Sequence, residues 1–323
     1  MKKSDIIPAW AGILRGRRPL LSIEITRECP LRCPGCYAYS PEHLGAVGSL
    51  HSLSDLKGDA LVQGLLALVR RLRPVHLSIV GGEPLVRYRE LSILLPILSR
   101  MGLEVQLVTS AVRPIPKEWR DLPDINISVS VDGLQPEHDQ RRAPATYDRI
   151  LKHIEGQRVR VHCTITGQQI RRRDYLREFA EFWSARNEVV KIWFSLYTPQ
   201  QGEQTAERLS AEERSQAIAE LAYLGSAFPK VDVANNMLSG LLHPPQAPKE
   251  CIFAQVTTCI SSDLTTRITP CQLGGKPVCA ECGCIASAGL AGIGQYKLGG
   301  LVPVSAVFGA SQAVGRIAGS VAR

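Results

Sequence analysis

The sequence predicts an α/β protein, a partial (β/α)6 TIM-like barrel followed by a cysteine-rich C-terminal extension. Three observations predict it. Strand-like and helix-like runs alternate across residues 20–200. The strands alternate apolar and polar residues with a period of two. The 10 cysteines fall into two arrays, 29–36 and 251–284, with Cys163 alone between them.

The strand candidates are Leu20–Thr26, Val75–Val80, Glu104–Ser110, Ile125–Asp132, Val159–Thr166 and Lys191–Tyr197. Helical patterns lie between and after them, near 53–73, 87–101, 146–155, 171–185 and 209–225. Strand–helix repetition builds a parallel sheet with helical crossovers, and this number of units fits an open barrel better than a closed eight-fold one.

Successive strand side chains face opposite sides of a sheet. In 125–132, Ile125, Ile127, Val129 and Val131 alternate with Asn126, Ser128, Ser130 and Asp132. The same pattern runs through 21–26 and 159–166. Helices cover the apolar side. The other side is too polar for a filled barrel interior, so it predicts a hollow for ligand or water. A one-layer sheet with a solvated face is the competing reading. Candidate lining residues are Glu24, His76, Ser110, Asn126, Ser128, His162, Thr164, Thr166, Ser195 and Tyr197.

With 323 residues and 45% hydrophobic content the chain can bury a large core. A net charge of +8 admits an anionic partner. Yet no basic stretch alternates with aromatics as a single-strand nucleic-acid track would, so no nucleic-acid partner is expected. No secretory signal pattern and no spanning apolar run are visible, which suggests a cytoplasmic protein. In a reducing compartment, clustered cysteines point to metal rather than disulfides. The chain divides into an N-terminal amphipathic segment (1–19), the barrel (20–226) and the extension with a small-residue tail (227–323). Proline-rich 226–250 reads as a linker. The apolar stripe of 6–18, and another from Val304 onward, would pack on the protein or touch a membrane peripherally.

The first array reads Cys29-Pro-Leu-Arg-Cys33-Pro-Gly-Cys36-Tyr37, directly after the first strand. Three thiolates on a four-iron cluster leave one iron open for a ligand. Structural zinc, the alternative, usually takes four ligands. After the second strand comes Gly81-Gly82-Glu83-Pro84, whose glycines would turn the backbone and aim amides at a ligand. Ser130-Val131-Asp132-Gly133 follows the fourth strand, with His138-Asp139-Gln140-Arg141-Arg142 behind it.

These three segments together resemble the radical S-adenosylmethionine (radical SAM) superfamily. The resemblance implies an enzyme in which Cys29, Cys33 and Cys36 hold a [4Fe–4S] cluster whose open iron binds SAM. Reductive cleavage then yields a 5′-deoxyadenosyl radical that takes a hydrogen atom from a substrate. Gly81, Gly82, Glu83 and Pro84 would hold the methionyl amino group, with Glu83 accepting. Ser130 would touch the ribose, Arg142 the SAM carboxylate or a loop salt bridge, and Thr164 would line the cofactor's hollow. The family's aromatic before the last cysteine is here Gly35, and Tyr37 follows instead. A reductant such as flavodoxin or ferredoxin is implied.

The second array, Cys251, Cys259, Cys271, Cys279, Cys282 and Cys284, resembles the SPASM/twitch extensions of the same family. Six cysteines can furnish one four-thiolate cluster with two spare or two clusters with other ligands helping; the shorter cysteine set favours one auxiliary [4Fe–4S] cluster, with Cys251, Cys259 and Cys271 the first choices and one of the last three as fourth. Structural zinc competes here too. Residues 257–271 read as a hairpin turning near Ser262–Asp263, and Cys163 as a core thiol. A non-catalytic iron–sulfur or zinc protein for electron transfer or scaffolding is the alternative function. The substrate is open between a small molecule, a peptide and a lipid head group.

Overall fold

The computed structural model describes residues 17–295 together with 297–298 and 302–303. The terminal amphipathic stretches, through residue 16 and from 304 onward, lie outside the described residues.

The strands are β1 (Leu20–Glu24), β2 (His76–Val80), β3 (Glu104–Thr109), β4 (Ile125–Ser130), β5 (Val159–Ile165), β6 (Val189–Leu196) and β7 (Thr257–Ile260). They form one parallel sheet in the order β6-β5-β4-β3-β2-β1-β7. The helices are α1 (Gly58–Leu72), α2 (Tyr88–Arg100), α3 (Gln135–Arg142), α4 (Tyr147–His153), α5 (Gly167–Ile170), α6 (Tyr175–Ser184), α7 (Ala211–Ala227), α8 (Asn235–Leu242), α9 (Ile252–Val256) and α10 (Ile285–Gln295).

Period-two patterning fixes which face is which. Leu21, Ile23, Leu77, Ile79, Val105 and Leu107 are buried on one face, and Cys163 lies among the same core side chains. Helical stripes cover that face. Leu61, Leu65 and Leu68 of α1 recur at helical spacing, as do Leu176, Phe179 and Trp183 of α6. Each such side chain contributes about 1.5–3 kcal/mol on burial.

The opposite face is polar. Register sets Ser22, Ser78, Gln106 and Asn126 side by side across β1 to β4. Gln106 Nε2 donates to Ser128 Oγ at 3.3 Å, and His162 Nε2 lies 2.8 Å from Ser195 Oγ. Arg160 stacks over Trp193 at 4.7 Å. Burial lowers the His162 pKa, which favours its neutral imidazole, and the residue is half-buried.

Three expected lining residues belong to the scaffold instead. The fully buried Glu24 carboxylate meets His43 Nε2 at 2.8 Å and accepts from Ser261 Oγ at 2.6 Å. Thr166 forms a capping box with Gln169 at the start of α5. Ser110 is spent on Glu83 and Arg142.

The extension departs from the sequence reading in two ways. The hairpin exists: Ile268 N donates to Cys259 O at 3.1 Å, and the Asp263 side chain receives the amides of Thr265 and Thr266. Its first arm also pairs with β1 as a seventh parallel strand, which the six-strand expectation lacked. The 226–250 linker holds helix α8. Gly240 packs so closely that a Cβ there would lie 2.8 Å from Ala288 O of α10. This helix depends on a distant partner, not on local signals.

The extension also runs along the other end of the sheet. Leu196 N donates to Gly283 O at 3.0 Å, Val278 N to Pro199 O at 2.8 Å and Gln201 N to Lys276 O at 2.9 Å. It therefore reaches both edges, β7 on one side and the exit of β6 on the other.

Candidate metal centre and cofactor site

The first array sits on the loop leaving β1, and its root is tied down before the first cysteine. Asp55 accepts from Thr26 Oγ1 at 2.5 Å, Arg27 N at 2.7 Å and Arg87 at 2.8 Å. Glu28 meets Lys57 at 2.5 Å and Arg87 at 3.0 Å, and these cations pull its carboxyl down to about 2. Asp55 and Arg87 were not singled out from sequence, since nothing local marks them.

Cys29, Cys33 and Cys36 are partly exposed free thiols. Burial pushes Cys29 up to about 12 and raises Cys33 and Cys36, while nearby Arg142 pulls Cys33 and Cys36 down. The thiols feel one another's charge. Yet among the described residues no three His, Cys, Asp or Glu side chains converge tightly enough for a single metal ion. A cubane takes a thiolate on each of three corners and leaves its fourth iron open, whereas structural zinc takes four ligands.

The loop after β2 docks onto this one. Gly82 N donates to Thr26 O at 2.8 Å, and Glu83 N to Glu28 O at 2.8 Å. Those amides were expected to face a ligand. The cysteine loop takes them instead, which corrects the expectation for the Gly82 amide. The glycines serve close approach: a Cβ on Gly82 would lie 2.3 Å from Glu28 O, and one on Gly81 2.9 Å from Thr26 O.

The Glu83 carboxylate is buried. It accepts from Leu85 N at 2.9 Å, Ser110 N at 2.7 Å and Thr109 Oγ1. Burial raises its pKa against the pull of those donors. The side chain thus ties the ends of β2 and β3 together. Pro84 is buried at the start of the following turn.

The third segment is an ion-pair knot. Asp132 Oδ2 receives Arg142 Nε at 2.7 Å and Arg141 Nε at 3.2 Å, and Oδ1 receives Thr164 N at 3.1 Å. These cations and donors outweigh burial and hold the Asp132 carboxyl well below the usual range. Arg142 also donates to Ser110 Oγ at 3.0 Å, and Arg141 pairs with Glu207. Of the two roles open to Arg142, the structure shows the salt bridge, aimed so that its charge still reaches Cys33 and Cys36. Ser130, nearly buried, lies opposite His162. Tyr37 packs on His43 with ring centroids 5.6 Å apart.

A cleft of about 780 Å³ opens beside Cys33, Gly35 and Cys36, and Tyr197, Gln200 and Glu203 also line it. Together the three thiols, the glycine cradle and the Arg142 charge fit a site-differentiated cluster with a charged ligand. The thiols would hold the cluster.

The six C-terminal cysteines share one neighbourhood. Cys271 feels Cys259, Cys282 and Cys251, and Cys284 feels Cys282 and Cys271. Burial pushes Cys259 and Cys271 up to about 12. Arg214, unsuspected from sequence, donates to the carbonyls of Cys282 at 2.6 Å, Leu241 at 2.7 Å and Glu281 at 2.9 Å.

Comparison with known proteins agrees with this geometry. The Radical SAM superfamily model matches residues 23–182. Fe-coproporphyrin III synthase of Methanosarcina barkeri is 26% identical over 215 residues, covering 63% of this chain and 51% of the relative. A 7-carboxy-7-deazaguanine synthase of Hyperthermus butylicus is 35% identical over 99 residues, 28% of this chain and 37% of the relative. Among solved structures, Streptococcus suis SuiB superposes with a TM-score of 0.56 at 17% identity, over 76% of this chain and 59% of SuiB. The anSMEcpe structure with bound AdoMet gives 0.56 at 15% identity, over 79% and 75%. The chain thus spans about half the length of the first relative. Cysteine loop, glycine cradle, parallel sheet and family model converge, and the chain belongs to the radical SAM superfamily.

Proposed function

We propose that this protein is a radical SAM enzyme acting on a polar substrate held against the polar face of its sheet. One observation carries the reading: the Gly81–Gly82 loop is seated directly on the cysteine loop, with no room for a side chain between them. When bound, a [4Fe–4S] cluster on Cys29, Cys33 and Cys36 supplies one-electron cleavage of SAM to methionine and a 5′-deoxyadenosyl radical.

The chain's own residues prepare that chemistry. Asp55 and Arg87 fix the loop root. Asp132 orients Arg142, whose positive charge stabilises anionic thiolates and a carboxylate nearby. The sheet's polar face offers His162, Ser195 and Gln106 to a substrate. The names of both curated relatives specify nitrogen heterocycles, which supports a polar substrate. A low-potential donor of the flavodoxin or ferredoxin kind delivers the electron. The second array holds one auxiliary [4Fe–4S] cluster.

The test is anaerobic reconstitution with iron and sulfide, followed by dithionite and SAM. 5′-Deoxyadenosine is the expected product. A fully loaded protein that releases none overturns the reading, and zinc without iron or sulfide in the isolated protein favours a scaffold.

A further inference from the structure

One short segment, the chain leaving β6, touches both cysteine arrays, beside a second bridge in which Gly275 N donates to His43 O at 3.2 Å. Tyr197 reaches the first array. Gly35, between Cys33 and Cys36, has φ +63°, and a Cβ there would lie 2.6 Å from Tyr197 Oη and 2.9 Å from its Cε2. The ring therefore lies on the cysteine turn itself, and only glycine leaves it room. The Tyr197 hydroxyl is anchored by donating to Glu203 Oε1 at 2.7 Å, while Glu203 Oε2 accepts from Gln200 N at 2.9 Å.

Its chain neighbours grip the second array. Thr198 Oγ1 accepts from Gly283 N at 2.9 Å, and Leu196 N donates to Gly283 O at 3.0 Å. Gly283 lies between Cys282 and Cys284, and a Cβ on it would be 2.1 Å from Leu196 O. Gln200 Oε1 adds a bond from Lys276 N at 2.8 Å.

We infer that residues 196–201 couple the arrays: metal bound by the C-terminal cysteines fixes Gly283 against Leu196 and Thr198, and this seats Tyr197 on the Cys33–Cys36 turn. Tyr197 is a positioning residue in this scheme. The inference rests on the reading that both arrays hold metal. A contact made in series predicts non-additivity, because losing either end releases the same ring.

The test is a double-mutant cycle on anaerobically reconstituted full-length protein. Its readout is the half-life of the first-array cluster under a ferrous chelator, followed by the paramagnetic signal that SAM perturbs. Tyr197→Ala and Cys282→Ser are each expected to shorten it by roughly tenfold, and the double variant no further than either. Tyr197→Phe keeps the ring and should stay within about twofold of wild type. Should Cys282→Ser fail to fold, Thr198→Val removes the acceptor for Gly283 together with the hydroxyl beside Cys282, and must also shorten the half-life, by roughly fivefold. Effects that multiply in the double variant, or a Tyr197→Ala half-life equal to wild type, overturn the coupling alone. Wild-type protein with iron only in the first array overturns the metal reading of the second array, and the coupling with it.

Discussion

The two cysteine arrays set the same side chain in opposite surroundings. The first is compressed into residues 29–36, leaves its thiols partly exposed and opens on a cleft. Its supports are charged side chains: Asp55, Arg87, Asp132 and Arg142. The second is spread over 251–284, includes the buried Cys251 and Cys259, and is held mainly by backbone contacts plus the Arg214 guanidinium. A local loop with electrostatic supports suits a site that must admit a charged ligand. A dispersed array pinned to two sheet edges suits a closed centre that fixes architecture.

Single cysteine removals separate the two most sharply. Cys36→Ala should abolish 5′-deoxyadenosine release while leaving the melting temperature of the metal-free protein near wild type. Cys284→Ala should cost stability of the reconstituted protein, because metal binding at such a centre is folding free energy. Equal effects of both changes on SAM cleavage and on melting would erase the contrast.

Next in size is Arg142→Met. It leaves buried Asp132 with Arg141 as its remaining cation, and should destabilise the protein by about 3 kcal/mol in urea denaturation. Asp132 is held below its unfolded value, so it stabilises the fold above the unfolded carboxylate range, and that contribution is lost as pH falls toward its folded pKa. The wild-type protein should lose stability on acidification through that window more steeply than Arg142→Met. Parallel curves would discount the knot.

Both arrays should share one pH response. Burial pushes Cys29, Cys259 and Cys271 up to about 12, so metal must displace protons from these thiols near neutrality. Cobalt(II) affinity of the metal-free protein should therefore rise with pH, by roughly tenfold per unit for each proton displaced. A flat titration between pH 6.5 and 8.5 would contradict this.

The smallest effect is expected at the loop's outer rim. Lys57 and Glu28 pair while both side chains stay substantially exposed. Lys57→Ala should change stability by less than about 1 kcal/mol, because Arg87 still holds Glu28.

The sequence displayed what is local. Six strands and both arrays were legible because period-two patterning and cysteine spacing are written in contiguous residues. The pairing of Thr257–Ile260 with β1 was not, since its hairpin signal says nothing of a partner far upstream. Helix α8 hid among prolines because its burial depends on α10. At the site, the glycines of 81–82 were visible but not their purpose, which is close packing rather than ligand-facing amides. The charge on Arg142 was legible, whereas its commitment to Asp132 was a tertiary fact. Gly35 was seen as a gap in a motif, and only the fold shows Tyr197 lying on it.

The hydrogen bond from Ser261 to Glu24 spans 237 residues of chain, and it marks where the last strand meets the first. On a ribosome, the opening strand and its cysteines emerge long before their edge partner exists. Closing so long a loop is entropically slow. The nascent sheet thus passes through a stage in which β1 still lacks its β7 neighbour, and the cysteine loop that leaves β1 is made before that edge is covered.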